Sequence, residues 1–270
     1  MAVLCEEKLR EICGKIDGEF GLYVSAGGKT VKFCEEKRFI SASTIKIPLL
    51  ALLLRDGEQG RLDLDAPLPI APENRVGGSG ILQCLSSAHM SLFDYGVLMM
   101  ALSDNVATNQ VIDAVGMDRA NEFFRSNGWN DTFLGRKMMT PGEQNYTSTR
   151  DLADMMEKIS AGTLVSPDAC KTMMQIMAGQ RNGMFRQGLP TITWMEPRKE
   201  LVLPTEGEVI LAAKGGSLQH IDVPVAHDAG ILLLPDGRRA VMVMMTASRK
   251  YRETWRIMGK AASAVYEMMR

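Results

Sequence analysis

The sequence predicts an α+β fold, with one antiparallel sheet assembled from both ends of the chain, flanked by terminal helices and interrupted by an all-helical lobe. Three observations carry this expectation. Strand-type segments fill residues 20–33 and return from residue 209, helical periodicity dominates between them, and the chain closes on a helical run. Residues 1–41 together with 206–270 are expected to form a discontinuous α/β lobe, and residues 42–205 a helical one.

The elements follow in order. Leu4, Leu9, Ile12 and Ile16 share a face of a helix over 3–16. Phe20 to Val24 and Thr30 to Phe33 flank Ala26-Gly27-Gly28, which reads as a β-hairpin. From residue 44 to about 200 the pattern is helical. Ser91 and Ser148 are good helix starts, and Pro/Gly clusters at 67–80 and 140–142 mark loops. Val209 to Ala212, Ala229 to Leu234 and Ala240 to Thr246 read as strands, the last two joined by the turn Pro235-Asp236-Gly237-Arg238. Glu253 to Met269 reads as the closing helix.

Composition narrows the partners. The 270 residues are 46% hydrophobic and 23% charged, a globular balance with enough chain for a substantial core. A net charge of −1 offers nothing to nucleic acid or an anionic membrane surface, so a small-molecule substrate and a monomer are expected. No run of 18 uncharged apolar residues is present, so no membrane span is expected. Cys5, Cys13, Cys34, Cys84 and Cys170 are odd in number and lack metal or redox spacing, which suits structural thiols in a reducing compartment. With acids at Glu6 and Glu7 where a signal peptide needs an apolar run, a cytoplasmic protein is expected, or a periplasmic or secreted one if a leader has been removed. Three histidines without ligand spacing point to no metal, and no cofactor is implied. The twenty methionines read as helix-core filler.

The chemistry lies in Ser43-Thr44-Ile45-Lys46, Ser103-Asp104-Asn105 and Lys214-Gly215-Gly216. By residue usage, each of the last two is expected only about 0.05–0.1 times in a chain of this length. A serine hydroxyl needs a base within reach. At i and i+3, Ser43 and Lys46 share a helix face. Lys46 can act as that base once burial and a neighbouring cation, Lys214, loosen its proton. Ser43 near a helix N-terminus places its N–H where an oxyanion would form, and Pro48 limits how far upstream that helix can begin. Ser103 is a candidate proton relay. Asn105 can hold a substrate carbonyl or orient Lys46, Gly216 lets substrate approach closely, and Ser217 offers a second oxyanion N–H and a hydroxyl for a carboxylate.

In this order the three segments resemble the class A β-lactamases and their penicillin-binding relatives. Ser103-Asp104-Asn105-Val106-Ala107-Thr108-Asn109 and Arg186-Gln187-Gly188-Leu189-Pro190 extend the resemblance, which covers essentially the whole chain. It implies the serine β-lactamase fold, Ser43 as acylated nucleophile, Lys46 as base or proton shuttle, Ser103 as proton donor to the leaving nitrogen, Asn105 as a substrate contact and Lys214 as the electrostatic anchor of the cleft.

The chain also departs from that family. Glu143 stands two residues before Asn145, not the family's four, so it is a candidate deacylating base within a shortened segment. Gly215 replaces the usual Thr or Ser, and no arginine appears in Ala229 to Leu234, with His227 and Asp228 at that strand's start instead. Asp104 and His227 are expected to be structural. Three functions are compatible with these residues: a serine hydrolase opening β-lactam amides through an acyl-enzyme on Ser43, an acyl hydrolase or D-amino-acid peptidase on a non-lactam ester or amide, and a covalent β-lactam sensor that does not turn over.

Overall fold

Strands apolar on both sides of the pleat need cover on both faces, and this chain has helices enough to provide it. A computed structural model describes residues 5–86, 89–193, 199 and 202–270. From the N-terminus run α1 (Glu6–Cys13), β1 (Glu19–Ala26), β2 (Lys29–Phe33) and β3 (Arg38–Ile40), then the 3-10 turn Ala42–Ile45 and α2 (Lys46–Glu58). Next come β4 (Pro67–Pro69), β5 (His89–Ser91), α3 (Leu92–Ala101), α4 (Asn105–Val115), α5 (Met117–Ser126), β6 (Tyr146–Ser148), α6 (Thr149–Ala161) and α7 (Pro167–Ala178). The chain ends with β7 (Thr191–Ile192), β8 (Glu208–Leu218), β9 (Val225–Leu233), β10 (Arg239–Ala247) and α8 (Tyr251–Met269).

The main sheet has the order β2-β1-β10-β9-β8-β7 and is antiparallel except for the short parallel β7–β8 pair. Alternation divides it between two cores. Ile210, Ala212, Ile231, Leu233, Val241 and Val243 face the helical lobe and pack with α2, α4, α6 and α7. Val209, Leu211, Ala213, Leu232, Met242 and Met244 face the other way and pack with Leu9 of α1 and Ile257, Met258 and Val265 of α8. Ser91 and Ser148 cap α3 and α6 by accepting from the Asp94 and Asp151 amides, as the sequence predicts.

Several expectations are corrected. The first helix spans Glu6–Cys13, not 3–16; residues 3 and 4 lie outside those described. Strand β9 begins at Val225, so His227 and Asp228 are interior to it rather than at its start. The stretch 184–192, assigned above to the helical lobe, packs with the sheet side: Met184, Phe185 and Ile192 belong to the core under α8, and Ile192 pairs with Val209. The short pair β3–β6 ties the N-terminal segment to the helical lobe, and β4–β5 forms a second short pair within that lobe. Extended pieces of two or three residues carry no periodicity, so only their pairing reveals them. Among the described residues, no helix is long and apolar enough to cross a membrane. No group of three or more His, Cys, Asp or Glu among them could hold a metal ion. The five cysteines are free, with Cys13 and Cys170 buried.

Candidate active site

The sequence places a strained turn just before an apolar helix, and the site begins there. Ser43 lies in the 3-10 turn feeding α2, preceded by Ala42 in a left-handed conformation (φ 46°). Pro48 falls in the first turn of α2, where its missing N–H costs no ladder bond. Strand β8 runs so close to this turn that a Cβ on Gly216 would sit 2.6 Å from the Ser43 amide nitrogen. Among the described residues, the β7–β8 pairing ends at Ile192 and Val209, and residues 214–217 of β8 line the cleft.

Lys46 is wholly buried. Its Nζ donates to the Ser103 carbonyl at 2.8 Å, to Ser103 Oγ at 3.1 Å and to Asn105 Oδ1 at 3.0 Å. Lys214 Nζ reaches the same Ser103 Oγ at 3.2 Å, so one hydroxyl bridges two amines. Ser103 can do this because it adopts a left-handed conformation (φ 54°) just ahead of α4. Asp104 holds that bend: it caps α4 through the Ala107 amide and accepts from the Ile81 and Leu82 amides at 2.7 and 2.9 Å. Its role is structural, as expected. Gly80 leaves room for it, since a Cβ there would lie 2.2 Å from the Asp104 carboxylate.

Burial is the main cause that drives the Lys46 amine well below its ordinary pKa, the Lys214 cation adds to it, and Asp104 opposes it. Burial likewise lowers Lys214 to about 7, against an opposing pull from Asp228. Both amines are thus held below their ordinary values in the same buried site. Removing the neighbouring cation should raise the Lys46 pKa, so Lys214→Ala is expected to move the acid limb of any Ser43 acylation profile to higher pH. A pH–rate profile measured on both proteins checks this; an unmoved limb would mean that Lys46 does not set it.

The cleft beside Ser43 has a volume of about 690 Å³ and is walled by Ile40, Asn105, Met138, Met139, Gln144 and Leu218 among others. A second arm of about 430 Å³ shares Ser43, Ser79 and Ser217 with it and passes Ser103, Lys214 and Gly215. The structure therefore brings Ser43, Lys46, Ser103, Asn105, Lys214, Gly216 and Ser217 together. It does not bring Glu143 there. That side chain is exposed and does not line either arm; its neighbours Gln144 and Asn145 line the first, because Asn145 Oδ1 turns inward to accept the Gly135 and Arg136 amides. Among the described residues no carboxylate lines either arm.

Sequence reasoning missed Gln180, whose Oε1 accepts the Gly215 N–H at 2.8 Å, and gave Asp228 no role. Gln180 stands in the polar, glycine-flanked run Gly179 to Gly183, which was the available signal; a buried acid inside a strand was the other. His227 is satisfied by its neighbours: Nδ1 accepts the Thr246 N–H, Nε2–H donates to the Ile40 carbonyl at 2.8 Å, and burial lowers it to about 4.

Solved class A β-lactamase chains share this α+β fold, with a TM-score of 0.80 at 21% identity for one of them. The model of the Beta-lactamase enzyme family matches residues 4–269, and the chain belongs to that family. It is 26% identical to a β-lactamase of Rhodobacter capsulatus over 60% of each chain. It is also 25% identical to an imipenem-hydrolyzing β-lactamase of Enterobacter cloacae over 67% of this chain and 65% of the relative, so it spans under two thirds of the length of these relatives. Among solved structures, PBP-A matches with a TM-score of 0.82 at 26% identity, covering 97% of this chain and 94% of that one. A β-lactamase from Sphaerobacter thermophilus DSM 20745 matches with the same score and identity, covering 97% and 95%. A PBP-A mutant in an acyl-enzyme complex with penicillin G matches equally well.

Proposed function

We propose that this protein is a serine acyl hydrolase that opens β-lactam amides through an acyl-enzyme on Ser43. The observation that carries the proposal is the chain Lys46 Nζ–Ser103 Oγ–Lys214 Nζ, buried beside the turn that holds Ser43. Ser43 Oγ attacks the amide carbonyl while its proton passes to neutral Lys46. The carbonyl oxygen becomes an oxyanion held by the amides of Ser43 and Ser217, and Lys214 supplies positive charge nearby. Collapse breaks the carbon–nitrogen bond. Ser103 gives its proton to the leaving nitrogen and recovers one from Lys46, which leaves Lys46 neutral again. Water then attacks the ester on Ser43 while Lys46 takes its proton; collapse breaks the acyl carbon–Oγ bond, Lys46 returns that proton to Ser43 Oγ, and the acid is released.

Two observations favour slow turnover or a non-lactam acyl group. No carboxylate of the described residues lines the cleft to activate that water, and Gly215 brings no hydroxyl to the leaving-group side. An ester or amide substrate, or a long-lived adduct, is the second reading. Intact-protein mass spectrometry over time with a penicillin and a cephalosporin, with the site mapped by peptide digestion, tests both. An adduct on Ser43 that decays with release of hydrolysed lactam supports hydrolysis; an adduct that persists supports the second reading; no adduct overturns the lactam substrate. Glu143→Gln should leave the decay rate within about twofold, the scatter of an exposed substitution. A larger slowing would reinstate Glu143 as the deacylating base.

A further inference from the structure

Residues 136–139, 144 and 145 of one loop wall the first arm of the cleft, and Arg136 ties that loop to itself. Its amide donates to Asn145 Oδ1 at 3.0 Å, its Nη1 to the Thr140 carbonyl, and its Nη2 to Gln144 Oε1 at 2.8 Å. A Cβ on Gly142 would meet Arg136 Cβ at 3.0 Å and Cδ at 3.8 Å, so the arginine stem lies against that glycine. The half-buried guanidinium is thereby held in place, yet both partners of its side chain are neutral. A guanidinium has N–H groups to spare after two such bonds. Among the described residues Nε has no acceptor, and it is not enclosed, so it stays open to solvent. Lys137, the next cation of this arm, differs: Nζ pairs with Asp113 and donates to Asn74 Oδ1 at 2.9 Å. Glu143 of the same loop is exposed and makes no ion pair with Arg136. The arm therefore holds a positioned cation that no acid of the described residues neutralises.

We propose that the first arm is an anion-reading acyl subsite: it takes an acyl group whose far end carries a carboxylate, and Arg136 binds that carboxylate. The inference rests on acyl transfer to Ser43, and it names the acyl chemistry of that same site. Ser43 and Arg136 line the same arm, so one acyl group can be joined to the serine and touch the guanidinium. Ile40, Met138, Met139 and Leu218 line it as well, and apolar walls suit the methylenes between the carbonyl and the charged end. A planar guanidinium matches a carboxylate in shape and charge, and its charge-assisted hydrogen bonds are stronger than those to the neutral oxygens it now holds. Thr140 and Gln144 already restrain the arginine, so little side-chain freedom is left to lose when the anion arrives. A neutral acyl end would gain the apolar contacts alone.

4-Nitrophenyl monoesters of adipic, suberic and sebacic acid, each beside an ester of the same length ending in a carboxamide, test the subsite. Ser43 Oγ displaces 4-nitrophenolate, the burst of phenolate gives the acylation rate, and each rate is divided by that ester's hydrolysis by hydroxide. At the length that spans the arm, the carboxylate ester should acylate about tenfold or more faster than its carboxamide twin, the scale of one charge-assisted contact. Arg136→Gln should bring that ratio to about twofold or less. A merely structural part for Arg136 in its loop would slow both twins alike and leave the ratio unmoved. Gln144→Glu sets a carboxylate on the guanidinium without removing it and should lower the ratio too, which keeps the test decisive if Arg136→Gln fails to fold. Because only acylation is read, any effect of the new acid on hydrolysis of the acyl-enzyme does not enter. Equal rates of the twins at every length in the wild type, or a preference kept by folded Arg136→Gln or by Gln144→Glu, would overturn the subsite while leaving Ser43 chemistry standing. No adduct on Ser43 from any ester would overturn both.

Discussion

Exchanging Lys46 for alanine is expected to slow acylation of Ser43 by about 10²–10⁴-fold, the range of a positioned general base, and exchanging Ser43 itself should abolish covalent labelling. Lys46 is buried, its amine is held well below its ordinary pKa by burial and by Lys214, and its hydrogen bonds tie it to Ser103 and Asn105. Lys46→Arg should be as slow as Lys46→Ala, because a guanidinium keeps its charge and cannot accept the serine proton. That pair separates base chemistry from the mere presence of a cation. Acylation of Lys46→Ala within tenfold of wild type, in a protein that melts cooperatively, would assign the base elsewhere.

The second large effect is expected at Gly216. Its φ is not left-handed, so alanine costs little in backbone conformation. Space is the obstacle: the new Cβ would lie 2.6 Å from Ser43 N, 3.0 Å from Thr44 N and 3.2 Å from Ala42 Cβ. Two of these are backbone atoms of the turn that carries the nucleophile, so relief must push β8 and the turn apart. The amides of Ser43 and Ser217 would then no longer converge, and loss of oxyanion geometry costs about 10²–10³-fold in rate. Overpacking should also lower stability by about 1–3 kcal/mol. Acylation rates beside thermal melts check this. Unchanged acylation in the folded variant would mean that the two amides do not form the oxyanion site.

Much of this was legible beforehand because it rested on local patterns. Apolar alternation marked β8, β9 and β10, serine caps marked α3 and α6, and the three short segments marked the residues now seen together. The errors came where local pattern is silent. Nothing in the spacing of Glu143 says whether its loop turns the carboxylate inward; Asn145, by taking the Gly135 and Arg136 amides, accompanies a loop that presents Gln144 instead. Residues 184–192 looked like part of the helical stretch, yet a two-residue parallel pair and the packing of Phe185 under α8 place them with the sheet.

Residue order alone gave the α+β architecture and the absence of a hydroxyl at Gly215, and it pointed to Ser43 and Lys46 as the proposed nucleophile and base, because each of these readings depends on residue type and short-range periodicity. The shared burial of the two amines, the close approach of β8 to the Ser43 turn and the pairing of Asp228 with Gly215 were decided only by the tertiary structure. Those properties come from segments far apart in the chain meeting in a dry site. Ser103 bridges Lys46 and Lys214 there, Gly216 presses against the Ser43 turn, and Asp228 looks across at Gly215. Burial and ångström-scale contacts of that kind set pKa values and polarity, and no pattern along the chain encodes them.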